Sequence, residues 1–282
     1  DNLMYKQKSS FIYSHNPDFE FVYGDVTDKG LIKKVLQKQD TIIPLAAIVG
    51  MPACDKNPKL AESVNCKAIK LINHLRSRQQ KLIFPNTNSG YGTKTGDVYC
   101  TEESSLDPIS LYGKTKCKAE KHLLQDDKDA VTLRLATVFG TSPRMRTDLL
   151  VNDFVLKAKR DQYVILYQAD FKRNYIHIRD VAKAFIHTIE NFDKMKNQAY
   201  NVGLSQANVS KKELAEKIKK QIPEFKIICQ EIGEDVDKRN YIVSNEKIET
   251  TGFRPDYTLE DGIKELIKGY SILLQDNPYK NV

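Results

Sequence analysis

Two residue types that can act together on a proton, Tyr112 and Lys116, stand four positions apart in the sequence. If the segment 108–124 is helical, both side chains lie on one face, one turn apart. A phenol has an unperturbed pKa of about 10, and an ammonium roughly 4 Å away at an effective dielectric of ~20 favours the phenolate by ~4 kcal/mol. The pair therefore predicts a tyrosine that takes a proton from an alcohol or returns it, as in hydride transfer between a secondary alcohol and a nicotinamide. An amphipathic tyrosine beside a solvated lysine is the alternative interpretation.

The segment before this helix ends in hydroxyl and amide side chains. Apolar residues 81–84 lead into 85–92, which reads Pro-Asn-Thr-Asn-Ser-Gly-Tyr-Gly. This pattern predicts a buried strand followed by a polar, glycine-rich turn. Thr87 lies in that turn, where its hydroxyl could bind the same oxygen as Tyr112. A strand that ends in hydroxyls, followed by a helix with Tyr and Lys, is a typical site layout in an open α/β sheet.

The order of the predicted elements indicates the fold class. In the first half, strands are predicted at 19–23, 40–47 and 130–136, helices at 31–37 and 59–78, and a loop at 48–58. This alternation favours a doubly wound parallel sheet. After residue 140 the pattern becomes irregular, with helices predicted at 149–160, 181–191, 214–221 and 259–274, and strands at 163–167 and 174–178.

Composition limits the possible partners. The chain has 282 residues, of which 40% are hydrophobic and 29% charged, as in an ordinary globular protein. It contains no apolar run of about 20 residues, so no membrane partner is expected. The five cysteines are odd in number and lack a C-x-x-C spacing, so we expect no metal site or disulfide framework, and a cytoplasmic location. The net charge of +7 favours an anionic substrate, and the scattered lysines argue against nucleic acid.

Several short motifs occur in a characteristic order and spacing. They are Asp1-Asn2-Leu3, Gly24-Asp25-Val26, Leu45-Ala46-Ala47, Asn65, Thr87 to Gly92, Tyr112 with Lys116, Arg134 to Gly140, Arg173 to His177 with Asp180, and Tyr200 to Gly203. With these motifs the chain resembles an extended short-chain dehydrogenase/reductase of the nucleotide-sugar epimerase/dehydratase group. Within that group, residues 134–154 and 233–245 are similar to GDP-heptose 4-dehydrogenases.

The resemblance implies an α/β, Rossmann-like fold that uses NAD as its cofactor. It places an NAD-binding domain in residues 1–140 and a smaller substrate-binding lobe, interleaved with it, in residues 141–282. The family's opening strand and G-x-x-G-x-x-G turn are not in this sequence, so we expect roughly 30 further residues upstream. The cofactor-binding residues implied are Asp1, Asn2, Asp25, Val26, Leu45, Ala46, Ala47, Asn65, Tyr112 and Lys116.

The resemblance also assigns a catalytic triad of Thr87, Tyr112 and Lys116. Asn88 and Ser89 stand where water-eliminating members carry an Asp-Glu pair, and neither side chain carries a proton near neutral pH. Members that invert C3 and C5 use a cysteine at the Ser89 position. Neither reaction is therefore expected. The substrate-binding residues implied are Asn88, Thr137, Arg144, Arg146, Asn152, Arg173 and Arg239, the last two as bidentate partners of a diphosphate.

Three functions stay open. The first is oxidation of the C4 hydroxyl of a GDP- or UDP-linked sugar to a 4-keto sugar by NAD, with GDP-heptose indicated by the finer resemblance. The second is a reversible C4-epimerase, although Thr137 departs from the asparagine usual in 4-epimerases. The third is a non-catalytic dinucleotide-binding sensor or a lectin-like protein, against which the intact triad argues. The resemblance also implies a homodimer through the helices at 59–78 and 108–124.

Overall fold

The computed structural model of the chain describes residues 1–6, 8–94, 96, 98–233 and 239–274. The strands are β1 Thr41–Ile42, β2 Lys81–Thr87, β3 Tyr99–Cys100, β4 Ala130–Leu135, β5 Thr137–Phe139, β6 Tyr163–Tyr167, β7 Lys172–His177, β8 Gln198–Val202, β9 Asn208–Ser210, β10 Lys226–Gln230 and β11 Ile242–Val243. The α-helices are α1 Lys29–Leu36, α2 Met51–Lys56, α3 Pro58–Glu62, α4 Ala68–Leu75, α5 Leu111–Leu124, α6 Leu150–Arg160, α7 Ile178–Glu190, α8 Phe192–Met195, α9 Lys211–Lys219, α10 Glu246–Thr250 and α11 Leu259–Leu273. Short 3₁₀ turns occupy Ser9–Tyr13 and Asn88–Tyr91, and a π-helical segment occupies Ser63–Lys67.

The chain divides into two compact units, each built from separate stretches of sequence. The first unit comprises Asp1–Gly90, Leu106–Arg134 and Thr188–Tyr200. The second comprises Tyr91–Ser105, Leu135–His187 and Asn201–Val282. The assignment of functions to residues 1–140 and 141–282 stays a prediction.

Strand β2 is central to the first unit. The sheet has the order β1-β2-β4-β8, and β1 runs parallel to β2. Leu82, Ile83 and Phe84 of β2 are all buried, as in a strand that is covered on both faces. Leu82 and Phe84 pack in one cluster with residues of α4 and α5. The strand that ends at Thr87 is therefore firmly held against the helix that carries Tyr112.

The second unit has its own core. Strand β7 pairs parallel to β5 and antiparallel to β9, while β6 with β10 and β3 with β11 form parallel pairs. Phe139, Tyr175 and Leu266 lie in one buried cluster with residues of α6, α9 and α11. This core holds β5 and β7, the strands that carry Thr137 and Arg173.

Several predictions for the first unit are wrong. Residues 19–23 alternate like a strand but form none: hydrogen bonds join Asp1 to Val22 and Gly24, too few for a ladder, and Tyr23 is 70% exposed. Of the predicted strand 40–47, only β1 forms a strand. An apolar run indicates that a segment is buried, but it does not show that the segment pairs with a neighbouring strand. The predicted loop 48–58 contains α2, which follows Gly50 at φ 91°.

The predicted long helix 59–78 is interrupted. It begins one residue early as α3, passes through the π-helical segment Ser63–Lys67 and continues as α4 to Leu75. π-Helical insertions are rare and frequently occur at functional sites. Asn65, one of the predicted cofactor-binding residues, lies within this segment.

Other predicted elements are confirmed within a few residues. The Tyr112 helix begins at Leu111, three residues later than predicted, and ends at Leu124 as predicted. Strand β6 has the predicted bounds. No prediction was made for β3, β9, β10, β11, α8 or α10.

Candidate active site

Thr87 ends β2, and a 3₁₀ turn follows it at once. Its hydroxyl donates to the Ser89 hydroxyl at 3.0 Å and accepts the Ser89 backbone N–H at 3.1 Å. These bonds fix the Thr87 oxygen at the carboxyl end of a parallel strand, where ligands bind in open α/β sheets.

Helix α5 carries the other two members of the predicted triad. It is capped by Ser110, whose side chain accepts the Gly113 N–H at 3.1 Å. The half-buried Tyr112 ring packs against a cluster that includes Ile48, Cys54 and Val64. The helical spacing predicted for Tyr112 and Lys116 is confirmed.

Lys116 is only 3% exposed, and its Nζ lies 3.9 Å from the centroid of the Phe84 ring. Burial lowers the pKa of Lys116 to about 7. The nearby carboxylate of Glu120 raises this pKa, but its effect is smaller than that of burial. Near neutral pH the side chain is therefore divided between ammonium and amine. The effect on Tyr112 that the sequence predicts assumes that Lys116 always carries a full positive charge. That effect is therefore an upper limit.

Two glycines allow close packing between α5 and the Thr87 turn. A Cβ on Gly113 would lie 3.4 Å from the Ser89 carbonyl oxygen and 2.9 Å from Pro108 Cβ. A Cβ on Gly90 would lie 2.7 Å from the Cys117 sulfur. The sequence analysis missed both positions. Glycine inside a helix costs about 1 kcal/mol relative to alanine, so Gly113 beside Tyr112 was an available sign of close packing.

Glu120 is a further residue of this site that the sequence analysis missed. Its carboxylate is 2% exposed and accepts hydrogen bonds from Asn86 at 2.7 Å, from Thr132 at 2.8 Å and from Arg134 at 2.7 Å. Its place four residues after Lys116 was the available signal.

Asn88 differs from its neighbours. It is 1% exposed, and neither Oδ1 nor Nδ2 of its amide has a hydrogen-bond partner. A buried, unsatisfied amide is costly, so such a group is consistent with a polar partner that binds there.

The residues predicted to bind the adenosine lie together. The Asn2 amide donates to Asp25 at 2.9 Å, and the Gly24 N–H donates to the Asp1 carbonyl at 3.2 Å. Hydrogen bonds from Thr27 lower the pKa of the Asp25 carboxyl despite its partial burial. Asp25 is therefore an anionic acceptor at neutral pH, and its contact with the adenine stays a prediction.

The stretch after β1 is also consistent with a flat ligand. Leu45 is 68% exposed, and the small residues Ala46 and Ala47 follow it. Val26 packs against two buried clusters, one that includes Ile42 and Leu82 and one that includes Ile48 and Cys54. The contact of Leu45, Ala46 and Ala47 with NAD stays a prediction.

Asn65 has a different environment from the one expected. Its amide is buried, accepting the Ile48 N–H at 2.8 Å and donating to the Ile48 carbonyl at 2.9 Å. A longer contact of 3.4 Å reaches the Thr115 hydroxyl of α5. Asn65 thus joins the loop after β1 to the Tyr112 helix, and its direct contact with the cofactor stays a prediction.

In the second unit, Arg173 and Thr137 lie on neighbouring strands. Thr137 is opposite Tyr175 in the β5–β7 ladder. Arg173 is buried, donates to the Lys172 carbonyl at 2.9 Å and has its guanidinium carbon 5.5 Å from the Tyr241 ring centroid. Arg239 is half-buried, next to the range 234–238 that lies outside the described residues.

Arg144, Arg146 and Asn152 belong to one loop and the helix after it. Arg146 forms a fork with Asp148, at 2.7 and 2.6 Å, and this hydrogen bonding lowers the pKa of Asp148. Asn152 is buried, accepts the Gly140 N–H at 3.2 Å and donates to the Arg146 carbonyl at 2.9 Å. Arg144 is exposed. The Asn152 amide therefore holds this loop, and its contact with a nucleotide stays a prediction.

Comparison with known proteins identifies the family. Residues 3–203 match the NAD dependent epimerase/dehydratase family. The chain belongs to that family. The predictions of an enzyme and of NAD as cofactor are thereby confirmed.

Individual known proteins resemble nearly the whole chain. A putative UDP-glucose 4-epimerase of Methanocaldococcus jannaschii is 24% identical over 95% of this chain and 88% of its own. The structure of a dTDP-glucose 4,6-dehydratase from Bacillus anthracis in complex with NAD has a TM-score of 0.80 at 21% identity, covering 96% of this chain and 86% of that one. A UDP-glucose 4-epimerase from Thermotoga maritima with UDP-glucose has a TM-score of 0.79 at 20% identity, covering 92% and 87%. The predicted α/β fold with a parallel sheet is confirmed.

Two further observations concern the cysteines and the lengths of the helices. All five cysteines are free thiols. Among the helices of the described ranges, every one is too short or too polar to cross a bilayer.

Proposed function

We propose that this protein oxidises the C4 hydroxyl of a GDP- or UDP-linked sugar to a 4-keto sugar. One observation carries the proposal. Thr87, Tyr112 and Lys116 lie on a strand end and a helix that pack closely together. Next to Thr87, Asn88 and Ser89 provide no acid pair for eliminating water. When bound, NAD supplies a nicotinamide ring that accepts the hydride.

The protein's own residues move the proton. Tyr112 takes it from the C4 hydroxyl, and the Thr87 hydroxyl holds the same oxygen as the carbonyl forms. Lys116, in its ammonium form, lowers the pKa of Tyr112 and makes the phenolate available. Asn88 and Ser89 supply hydrogen bonds but no proton, so the reaction stops at the ketone.

The substrate is held by its diphosphate. Arg173 and Arg239 are the proposed phosphate partners, because a guanidinium fork matches two phosphate oxygens. The other residues proposed to contact the substrate are Asn88, Thr137, Arg144, Arg146 and Asn152. GDP-heptose is the proposed sugar nucleotide, on the similarity of residues 134–154 and 233–245 to GDP-heptose 4-dehydrogenases.

A reversible C4-epimerase is the second candidate. It is favoured by the similarity to the putative UDP-glucose 4-epimerase of M. jannaschii over nearly the whole chain. In that case the 4-keto sugar would rotate in the site so that the hydride returns to the opposite face of C4, while Tyr112 would return the proton to the C4 oxygen.

The two candidates differ in their products. The protein is mixed with NAD and GDP- or UDP-linked sugars, while NADH absorbance and product mass are followed. Oxidation gives a product lighter by two hydrogens together with an equal amount of NADH. A product of unchanged mass with inverted C4 and no NADH would establish the epimerase and reject the first proposal. No change with any sugar nucleotide would reject both.

We also propose a homodimer through the predicted pair of helices, of which 59–78 corresponds to α3, the π-helical segment and α4, and 108–124 corresponds to α5. These helices lie side by side, with Lys118 of α5 3.4 Å from Glu62 of α3, and they line a cavity of about 270 Å³ with Lys59 and Leu111. Sedimentation of the protein tests this, and a monomer at micromolar concentration would reject it. A cytoplasmic location stays a prediction.

A further inference from the structure

The carboxylate of Glu120 is buried, yet both of its oxygens accept hydrogen bonds. Asn86 and Thr132 each donate one hydrogen bond, and Arg134 donates from both Nε, at 3.1 Å, and Nη2, at 2.7 Å. Such a carboxylate is fully paired, which offsets the cost of its burial.

These donors join three elements at the active site. Asn86 is the residue before Thr87 in β2, Glu120 belongs to the Tyr112 helix, and Thr132 and Arg134 belong to β4. The Asn86 carbonyl oxygen Oδ1 has no partner, so the bond to Glu120 is what orients this amide. The carboxylate therefore ties the strand end that carries Thr87 to the helix that carries Tyr112 and Lys116.

Glu120 also lies one turn from Lys116, and its negative charge acts directly on that side chain. The other titratable groups around α5 include Arg134, which pairs with Glu120, together with buried thiols and more exposed side chains. Burial raises the pKa of the Cys54 and Cys66 thiols, and raises that of Cys117 to about 12. Glu62 pairs with Lys118, Lys70 is half-buried, and Asp55, Lys67 and His74 are exposed.

We propose that Glu120 is a positioning residue: its carboxylate holds the Thr87 end of β2 against the Tyr112 helix and lies one helical turn after Lys116, where it favours the ammonium form. Its catalytic consequence rests on the proposed function. Its effect on the protonation of Lys116 does not.

The decisive variant is Glu120→Gln, which keeps the shape and part of the hydrogen bonding but removes the charge. The titration of Lys116 is followed by NMR of ¹³C-labelled lysine in the protein without NAD, with Lys116→Arg identifying the signal. We expect Lys116 to lose its proton at lower pH in Glu120→Gln than in the parent protein. With substrate and NAD, kcat falls roughly 10- to 100-fold, the effect of a small displacement of reacting groups, while KM changes little.

Glu62→Gln is the matched control. Glu62 also pairs with a lysine of α5, but on the exposed side of the helix, so kcat should stay within about two-fold and Lys116 should titrate as before. Glu120→Asp retains the charge and is expected to restore most of the Lys116 titration. If Glu120→Gln does not fold because Arg134 is left unpaired, Glu120→Gln with Arg134→Met removes both charges and serves in its place.

Unchanged titration of Lys116 and unchanged kcat in a folded Glu120→Gln or double variant would overturn the proposal and leave Glu120 with a stabilising role only. If the parent protein transfers no hydride from any sugar nucleotide, the proposed function fails. The Lys116 titration still decides the positioning role in that case.

Discussion

The two units hold their predicted site residues in different ways. In the first unit, Gly113 and Gly90 allow close packing between α5 and the Thr87 turn, and Glu120 ties β2 to the same helix. In the second unit, Arg146 is already neutralised by Asp148. The predicted catalytic residues are thus positioned by contacts that no ligand needs to displace. A ligand of Arg146 must instead compete with a partner supplied by the chain, which lowers its net gain in affinity.

The contrast between the two units is tested most strongly by a substitution at Tyr112. Tyr112→Phe removes only the hydroxyl from a packed ring, so the fold and NAD binding should be retained while kcat falls by about 10²–10⁴-fold. Single-turnover formation of NADH measures the step directly. The exposed tyrosine Tyr99, changed to Phe, is the control and should have no effect. A rate near that of the parent would remove Tyr112 from the mechanism.

The burial of Lys116 lowers the free energy of unfolding. The folded-state pKa is lowered from 10.5 to about 7, so the unfolded chain binds the proton more tightly. The stability of the protein without NAD should therefore fall as the pH decreases from about 10.5 to 7, by roughly 5 kcal/mol, and level off below.

Lys116→Met should remove this dependence and raise the free energy of unfolding at neutral pH, while abolishing turnover. Urea denaturation of the two proteins at pH 7 and pH 9.5 measures the difference. If Lys116→Met were less stable than the parent at pH 7, the lysine would be charged and well solvated in the folded state.

The sequence was most informative where one physical pattern dominates. Helix α5 follows from its spacing, and β6 from alternation of buried and exposed residues. Residues 19–23 show the same alternation but have no neighbouring strand with which to form a ladder. Pairing is a property of two segments and cannot be read from one of them.

For the site, the sequence predicted residue types but not the contacts that use them. Asn65 and Asn152 were assigned to ligands, and the structure has both amides bonded to loop backbone. A buried asparagine serves either purpose equally well, and spacing does not distinguish them. Glu120 was missed because its partners Asn86 and Thr132 are far from it in sequence.

The second unit is tested first at Arg173. Arg173→Lys keeps the charge but loses the fork, so binding of the nucleoside diphosphate should weaken by about 10-fold, with a smaller effect on kcat. Calorimetric titration measures the affinity, and Arg78→Lys at an exposed ion pair provides the control. Unchanged affinity would mean that Arg173 does not bind the diphosphate.

The smallest effect is expected at Asp148, and it tests the contrast between the units most directly. If Arg146 must exchange Asp148 for phosphate, Asp148→Asn removes the competitor, and affinity for the nucleoside diphosphate should rise by about two- to five-fold. Because hydrogen bonding from Arg146 lowers the pKa of Asp148, the parent carboxylate stays charged across pH 5–8, so the gain should be independent of pH there. It should shrink as salt is added.

Asp161→Asn is the matched control, since Asp161 forms the same kind of fork with Arg160, at 2.8 and 2.9 Å, and neither residue is predicted to bind substrate. It should leave the affinity unchanged. Weaker binding by Asp148→Asn would mean that Asp148 orients Arg146 for the ligand and does not compete with it. The loop would then be as preorganised as the turn that holds Thr87, and the contrast between the two units would disappear.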